Sequence, residues 1–395
     1  MKVLFWMFIG FDQHATSEHL LSAIVEQLCK TGHSVHIIQK NTGGNLPVIP
    51  EKLLKYGVTT DVVPYQAADK GNFIARYLTE LKYIGACKKY LTEGYDAVFI
   101  QSNTVAGFAV NAIRKKMPKA IITFNVQDIF PYNAVFSGNL KRNGLVFKAL
   151  ASIQRYGYRH SDHVITISED MKDLLIEDGT PEDMIKVIYN WSYQDEPYDR
   201  SKLDMTIPNR FFSKEYFNVV YAGNVGVMQN VDILIETAAL MKSHADVWFH
   251  IIGNGQYKSK LQKRSVELGI TNITFWPMQS PEVAPSIYAA ADVNIIPLEK
   301  NVYRTALPSK TATCLACGTP IIFAFGKDSS FGKRVKAATS CRVIESDAPT
   351  ELMNAVLEIK ENPERDENSK LYFKKYFSKT INSNEYMKVV TSKKD

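Results

Sequence analysis

The residues of this chain best placed to do chemistry sit in two glycine-bearing turns. Gly223, Asn224, Val225 and Gly226 follow the apolar stretch 217–222 and precede a helix signal near Asn230. Gly253 and Asn254, with Gly255, repeat the arrangement after the apolar stretch 246–252. Glycines there let backbone N–H groups approach a diphosphate, and the N-terminus of the next helix favours its negative charge. Neither turn has the spacing of a dinucleotide fingerprint or a P-loop, which disfavours hydride and P-loop phosphoryl transfer. A third group, Arg304, Ser309 and Lys310, surrounds the proline turn at Pro308. Ser309 is expected to cap a helix ending at Cys317-Gly318, which makes another anion-binding helix start.

Asp128 is the only carboxylate in 97–161 and follows an apolar stretch that also carries Asn125 and Gln127. It is a candidate for orienting an acceptor hydroxyl, the alternative being a structural cap. Asn125, with Asn103 after the preceding apolar stretch, is assigned to the acceptor side, and Gly10 to the donor side. No metal is expected: the 8 His are dispersed, no DxD or HExxH occurs, and His14 and His19 lack helical i,i+4 spacing. The 5 cysteines are sparse and odd in number, which argues against a disulfide framework. Cys314 and Cys317 lie in an apolar helical stretch and read as helix packing.

The elements that must position these residues alternate. Strands are expected at 2–9, 34–39, 96–101, 120–125 and 163–167, then at 217–222, 246–252, 272–276, 292–297, 320–325 and 341–344. Helices are expected at 17–31 and 103–116, then at 230–243, 256–268, 281–290, 309–317 and 349–360. This β-α-β rhythm implies parallel sheets covered on both faces. The apolar start, MKVLFWMFIGF, reads as a buried strand, because no cleavage signal follows and it is too short to span a bilayer. The fold class is α/β, with two Rossmann-like domains facing across a cleft. We place an N-terminal domain at 1–195, a linker at 196–215 within an aperiodic stretch, a second domain at 216–370, and a C-terminal helix and tail at 371–395. That helix is expected to pack back on the first domain, and the last residues, TSKKD, to be disordered. Ligands bind beyond the carboxyl ends of parallel strands, so a nucleotide site between the domains is expected.

Charge is unevenly placed. Residues 70–160 hold 14 Lys/Arg against 4 Asp/Glu, and residues 161–200 hold 3 against 11. Within the basic block, 73–91 carries Arg76, Lys82, Lys88 and Lys89 among aromatic and aliphatic residues. The stretch 141–159 carries Lys141, Arg142, Lys148 and Arg155 in the same way. Basic amphipathic helices of this kind suit an anionic membrane surface, the alternative being ordinary surface helices. Nucleic acid is a poorer partner, since no recognisable binding module accompanies the charge.

The order YAGNVG, IIGNG, FWPMQSPEVAPSIYAAADVNIIPL, LPSK and ACGTPII resembles the C-terminal domain of family 4 retaining glycosyltransferases. The PSK form is similar to bacterial surface-polysaccharide enzymes of the N-acetyl-fucosaminyl-transferase-like subgroup. KTGHSVHII and SDHVITISEDMKDLL extend the resemblance over nearly the whole chain. It implies the GT-B fold, a nucleotide-sugar donor such as a UDP-sugar, a lipid-linked acceptor, no cofactor and no metal. It places Gly223, Asn224 and Gly226 on the donor phosphates, and Gly253 and Asn254 in the same pocket. Trp276, Pro277 and Met278 would cover the base, and Arg304, Ser309 and Lys310 would lie near the diphosphate and sugar. The family's Glu-x7-Glu positions fall on Thr305 and Thr313, and its phosphate-binding Lys on Gln229; these three are expected to bind the donor in their place, with Lys310 and Arg304 as catalytic residues beside Asp128. Where many members carry His, this chain has Asn125. In retaining enzymes of this fold the departing diphosphate itself is thought to take the acceptor proton. The expected protein is cytoplasmic and peripheral on the inner face of the plasma membrane. Two alternatives are an inactive glycosyltransferase-like binding partner and a nucleotide-sugar epimerase, which would need more carboxylates and His in its cleft.

Overall fold

The computed structural model describes residues 1–12, 17–68 and 73–393, so His14 and the last two residues of the TSKKD tail lie outside the described residues. The chain forms two compact units, Met1–Asn190 with Lys379–Asp395, and Trp191–Ser378.

In the first unit, seven parallel strands are ordered β3-β2-β1-β4-β5-β6-β7. They are β1 (Lys2–Trp6), β2 (Ser34–Asn41), β3 (Thr59–Pro64), β4 (Ala97–Gln101), β5 (Ile121–Val126), β6 (His163–Thr166) and β7 (Ile185–Val187). The helices are α1 (Glu18–Lys30), α2 (Glu51–Leu54), α3 (Phe73–Cys87), α4 (Ala106–Lys116), α5 (Tyr132–Phe136), α6 (Leu145–Arg159) and α7 (Glu169–Glu177). Every residue of β4, β5 and β6 is buried, as a central parallel strand covered on both faces requires. Phe5 of β1 and Phe99 of β4 stack at 4.5 Å within this core.

The first strand ends at Trp6, short of the expected 2–9. Beyond it the backbone is satisfied partly by side chains: Phe8 N donates to Gln101 Oε1 at 3.2 Å, and Phe11 N to Gln39 Oε1 at 2.8 Å. Strands β3 and β7 were not expected. The first is half exposed and ends in Pro64, and the second has 3 residues, so neither shows an apolar run. The basic stretch 141–159 becomes helical only at Leu145, after Gly144.

The second unit repeats the plan with six parallel strands, ordered β10-β9-β8-β11-β12-β13. These are β8 (Phe217–Ala222), β9 (Val247–Ile252), β10 (Ile273–Trp276), β11 (Val293–Pro297), β12 (Ile321–Ala324) and β13 (Arg342–Ile344). Its helices are α8 (Thr206–Phe211), α9 (Asp232–Leu240), α10 (Lys258–Glu267), α11 (Ala284–Ala290), α12 (Lys310–Cys317), α13 (Ser330–Ala338), α14 (Pro349–Glu361) and α15 (Glu367–Tyr376). The stretch expected as a linker is folded into this unit. Phe211 stacks on Trp276 at 4.3 Å, Phe212 packs on His250 at 4.6 Å, and Tyr198 N donates to Ala316 O at 2.9 Å. Two adjacent aromatic rings anchor a segment that has no helical or strand period.

The chain returns to the first unit as α16 (Lys379–Thr391). Tyr386 on this helix is 1% exposed, and its hydroxyl donates to Asn125 Oδ1 at 3.0 Å. Asn382 Nδ2 donates to Tyr189 O at 2.9 Å, and Gln27 Nε2 of α1 to Asn384 Oδ1 at 2.6 Å. The first unit is therefore completed by the last helix. Tyr386→Ala is expected to destabilise it by about 3–5 kcal/mol, the cost of emptying a large buried aromatic site. Urea unfolding followed by tryptophan fluorescence measures this, and a change under about 1 kcal/mol would contradict the helix's role.

Candidate functional site

In the second unit the carboxyl ends of β8 and β9 run into the two glycine turns, which lie against each other. Gly223 N donates to Ile252 O and Val225 N to Asn254 O, each at 2.9 Å. A Cβ on Gly253 would stand 1.8 Å from Gly223 O, and one on Gly255 2.0 Å from Val225 O. Gly223 and Gly253 also take φ of 144° and 158°, which side chains rarely adopt. Tight packing thus explains Gly253 and Gly255 by itself. It leaves the Asn224 and Gly226 N–H groups with no hydrogen-bond partner among the described residues.

Lys310, the first residue of α12, reaches into this corner. Its Nζ lies 3.8 Å from the centre of the Tyr221 ring and 2.8 Å from where a Cβ on Gly223 would be. Among the described residues the ammonium has no hydrogen bond and no ion pair. Lys310 is half-buried, and protein packed around its ammonium with no counter-anion pushes it down to about 7. The Tyr221 ring offsets part of that penalty, since a cation over an aromatic face gains up to about 2 kcal/mol when desolvated. Tyr221 is itself fixed, its hydroxyl donating to Asn224 O. Two free amides and one unpaired cation around a glycine turn are the groups an anion would need there.

The other expected donor residues divide. Asn224 and Asn254 are exposed, and Asn224 Nδ2 donates to Gln229 Oε1 at 3.1 Å, so Gln229 closes the first turn. Arg304 is half-buried in the turn Val302–Arg304. Ser309 occupies the N-cap position of α12, yet its side chain makes no capping bond, contrary to expectation, because its backbone is already helical. Thr305 is 0% exposed and its hydroxyl donates to Val302 O at 3.0 Å, so its side chain has no access to a ligand and the donor-binding assignment is withdrawn. Thr313 is half-buried, and its hydroxyl pairs with Ser192 Oγ at 3.2 Å. Pro277 and Met278 are exposed beyond β10, but Trp276 is turned into the stack with Phe211 and donates to His250 Nδ1 at 3.1 Å. Lys258 was not anticipated: its Nζ donates to Gly253 O at 2.7 Å and Trp276 O at 2.6 Å, tying together the ends of β9 and β10.

In the first unit, Asp128 lies just beyond the carboxyl end of β5 and makes no hydrogen bond or ion pair among the described residues. It caps nothing, which removes the structural alternative. The residue is exposed, yet the protein around its carboxyl desolvates it enough to push it up to about 6. No neighbouring cation counters that shift, so the basic stretches do not reach it. Asn125 is not an open acceptor-side group. It is 2% exposed, and its Oδ1 accepts from Gln127 Nε2 at 3.1 Å and from the Tyr386 hydroxyl. Gln127 Oε1 accepts in turn from Asn190 Nδ2 at 2.7 Å. Asn103 lies in the turn ahead of α4, its Oδ1 accepting from Val105 N at 3.1 Å. Gly10 is buried, and a Cβ there would stand 2.3 Å from Lys40 O, so close packing requires it.

Of the cations expected to face a membrane, Arg76, Lys82, Lys88, Lys89, Lys141, Arg142 and Lys148 are exposed. Arg155 is not free: its guanidinium lies 3.2 Å from Asp178 Oδ1, a half-buried carboxylate that needs a cation. No helix among the described residues is long and apolar enough to cross a membrane. No group of three or more His, Cys, Asp or Glu among them could hold a metal ion. Cys314 and Cys317 are buried in α12, and Cys317 Sγ donates to Pro285 O at 3.5 Å.

The comparisons with known proteins divide as the fold does. Residues 17–191 match the model of Glycosyltransferase Family 4, and residues 206–376 match Glycosyl transferases group 1. The chain is 27% identical over 184 residues to WcaI of Escherichia coli K12, named as a colanic acid biosynthesis glycosyl transferase. It is 24% identical over 210 residues to WbjE of Pseudomonas aeruginosa, named as a glycosyltransferase. These matches span 45% and 53% of this chain and 44% and 52% of the relatives, so they cover about half of each curated protein. The solved structure of HepE from Anabaena in complex with UDP and glucose superposes with a TM-score of 0.70 at 14% identity, over 98% of both chains. The fold is that of the GT-B glycosyltransferases, and each half of the chain matches a glycosyltransferase family model.

The unpaired Lys310 has a pH consequence. A bound diphosphate would raise its pKa back toward the ordinary lysine value, so binding takes up a proton where the free amine is neutral. Affinity for a nucleoside diphosphate is expected to fall above about pH 7, by up to tenfold per pH unit. Calorimetry at pH 8 in two buffers of different ionisation enthalpy reads the proton directly. Lys310→Ala should abolish the uptake and flatten the pH dependence, and uptake unchanged in that variant would contradict the assignment.

Proposed function

We propose that this glycosyltransferase moves a sugar from a nucleotide-sugar, a UDP-sugar in our reading, to a lipid-linked glycan acceptor with retention of configuration. The setting we assign is bacterial capsule, exopolysaccharide or O-antigen synthesis, with the enzyme cytoplasmic and peripheral on the inner face of the plasma membrane. One observation carries the donor assignment: an ammonium held without a counter-anion over Gly223 and Tyr221. The names of WcaI and HepE's bound UDP support the pathway and the base. The exposed cations on and around α3 and α6 support a membrane-held acceptor.

In this reading the bond from the anomeric carbon to the diphosphate breaks as the acceptor oxygen attacks the same face, and the acceptor proton passes to the departing phosphate oxygen. The work of the protein is to stabilise the charge that develops on that diphosphate. Lys310 and the Asn224 and Gly226 amides do this, and no metal or cofactor is invoked. Asp128 orients the acceptor hydroxyl, for which a carboxylate titrating near 6 is suited at neutral pH. A second reading, a partner that binds donor without turnover, draws on Thr305 being sealed in the core and Thr313 being tied to Ser192.

A thermal-shift screen of UDP-, GDP- and dTDP-sugars identifies the base, since stabilisation grows with affinity. Nucleotide release in the presence of a lipid acceptor then separates the readings, and no release from any donor that binds supports the inactive partner. Lys310→Ala is expected to lower kcat/KM by about 10²–10³-fold, the scale of losing one transition-state donor. Activity should fall below about pH 6 as Asp128 protonates, and Asp128→Asn should remove that limb. A profile unchanged in Asp128→Asn would end its assignment.

A further inference from the structure

The first unit displays an apolar pair at the start of α6: Leu145 is 85% exposed and Val146 57%. The helix cannot roll to hide them. Phe147 is fixed edge-on to Tyr132 at 5.2 Å, and Leu150 is buried with Phe130 and Ala134, against which Tyr77 of α3 and Ile153 also pack. On the outward face Leu145 is followed by Lys148, Ala149 and Ser152, at i+3, i+4 and i+7, all exposed. Lys141, Arg142 and Asn143, just ahead of the helix, are exposed as well, and no Asp or Glu occurs in 129–161.

We propose that Leu145 and Val146 form a wedge that enters the headgroup layer of an anionic bilayer, with Lys141, Arg142 and Lys148 seated on lipid phosphates around it. The proposal rests on the membrane reading above and adds which side chains leave water. Charge complementarity favours lipid, because Lys141, Arg142 and Lys148 are exposed cations, while the nearby carboxylate of Asp178 is half-buried and already engaged by Tyr132 and Arg155. Size favours it too. A stable protein interface buries about 1,200–2,000 Å², far more than two side chains supply, whereas a bilayer accepts isolated apolar tips.

The test is co-sedimentation of the full chain with phosphatidylglycerol/phosphatidylethanolamine vesicles at low salt and at about 0.5 M salt, where surface charges are screened. The native chain should keep a salt-resistant bound fraction. Leu145→Ser/Val146→Ser should lose that fraction and bind about tenfold or more weakly at low salt. Lys141→Gln/Lys148→Gln should lose about fivefold per charge at low salt but keep the salt-resistant part. Both pairs are exposed, so unchanged melting temperatures confirm intact folding. If the serine variant binds like the native chain while the glutamine variant does not, the wedge is wrong and attachment is purely electrostatic. If the native chain binds and neither variant changes that, the wedge is wrong and attachment lies elsewhere on the unit; if the native chain does not bind the vesicles at all, the membrane reading itself fails. Concentration-dependent dimerisation abolished by Leu145→Ser would overturn the wedge in favour of a second copy.

Discussion

The second unit is organised around a lysine with nothing to neutralise it. The Lys310 ammonium sits over the Tyr221 ring and occupies the space that a side chain on Gly223 would fill. Several choices in the sequence follow from that placement. Residue 223 must be glycine, Tyr221 must be aromatic, and α12 must begin where its first side chain can cross to the end of β8. Gly253 must also be glycine, because the second turn presses its Cα against the Gly223 carbonyl. A buried cation without a partner costs free energy, and proteins retain such groups where a ligand supplies the missing charge.

The glycine turns and Lys310 were legible in the sequence because both depend on local rules, positive φ and a helix start. Tyr221 was not, since an aromatic residue inside an apolar strand reads as core. Asn125 was misassigned for a different reason. The hydroxyl that buries it belongs to Tyr386, separated by 261 residues, and no local pattern announces such a bond. Arg155 reads as a free cation for the same reason, since its partner Asp178 lies 23 residues further along the chain. Counting motif positions placed Thr305 in the donor pocket, but the turn at Val302–Arg304 directs its hydroxyl onto its own backbone. The alternation of strand and helix was readable almost throughout. It failed at β3 and β7, one half exposed and the other too short, and at 206–212, where two aromatic rings substitute for periodicity.

The first unit shows the complementary arrangement at β5. Asn125 and Gln127 are consumed in a buried network with Tyr386 and Asn190, while the neighbouring Asp128 is left without any partner. The network fixes the strand end, and the free carboxylate projects from that fixed point. Preorganisation of this kind keeps a reactive group in place without engaging it. The same unit carries its cations on and around α3 and α6, which share one apolar cluster through Tyr77, Leu150 and Ile153.

In the proposed function the lysine is unpaired because a diphosphate is its partner. A crystal structure with UDP bound tests it most directly. Lys310 Nζ and the Asn224 and Gly226 amides are expected within about 3 Å of diphosphate oxygens, with the turns otherwise unmoved. A diphosphate bound elsewhere, with Lys310 still resting unpaired over Tyr221, would contradict it.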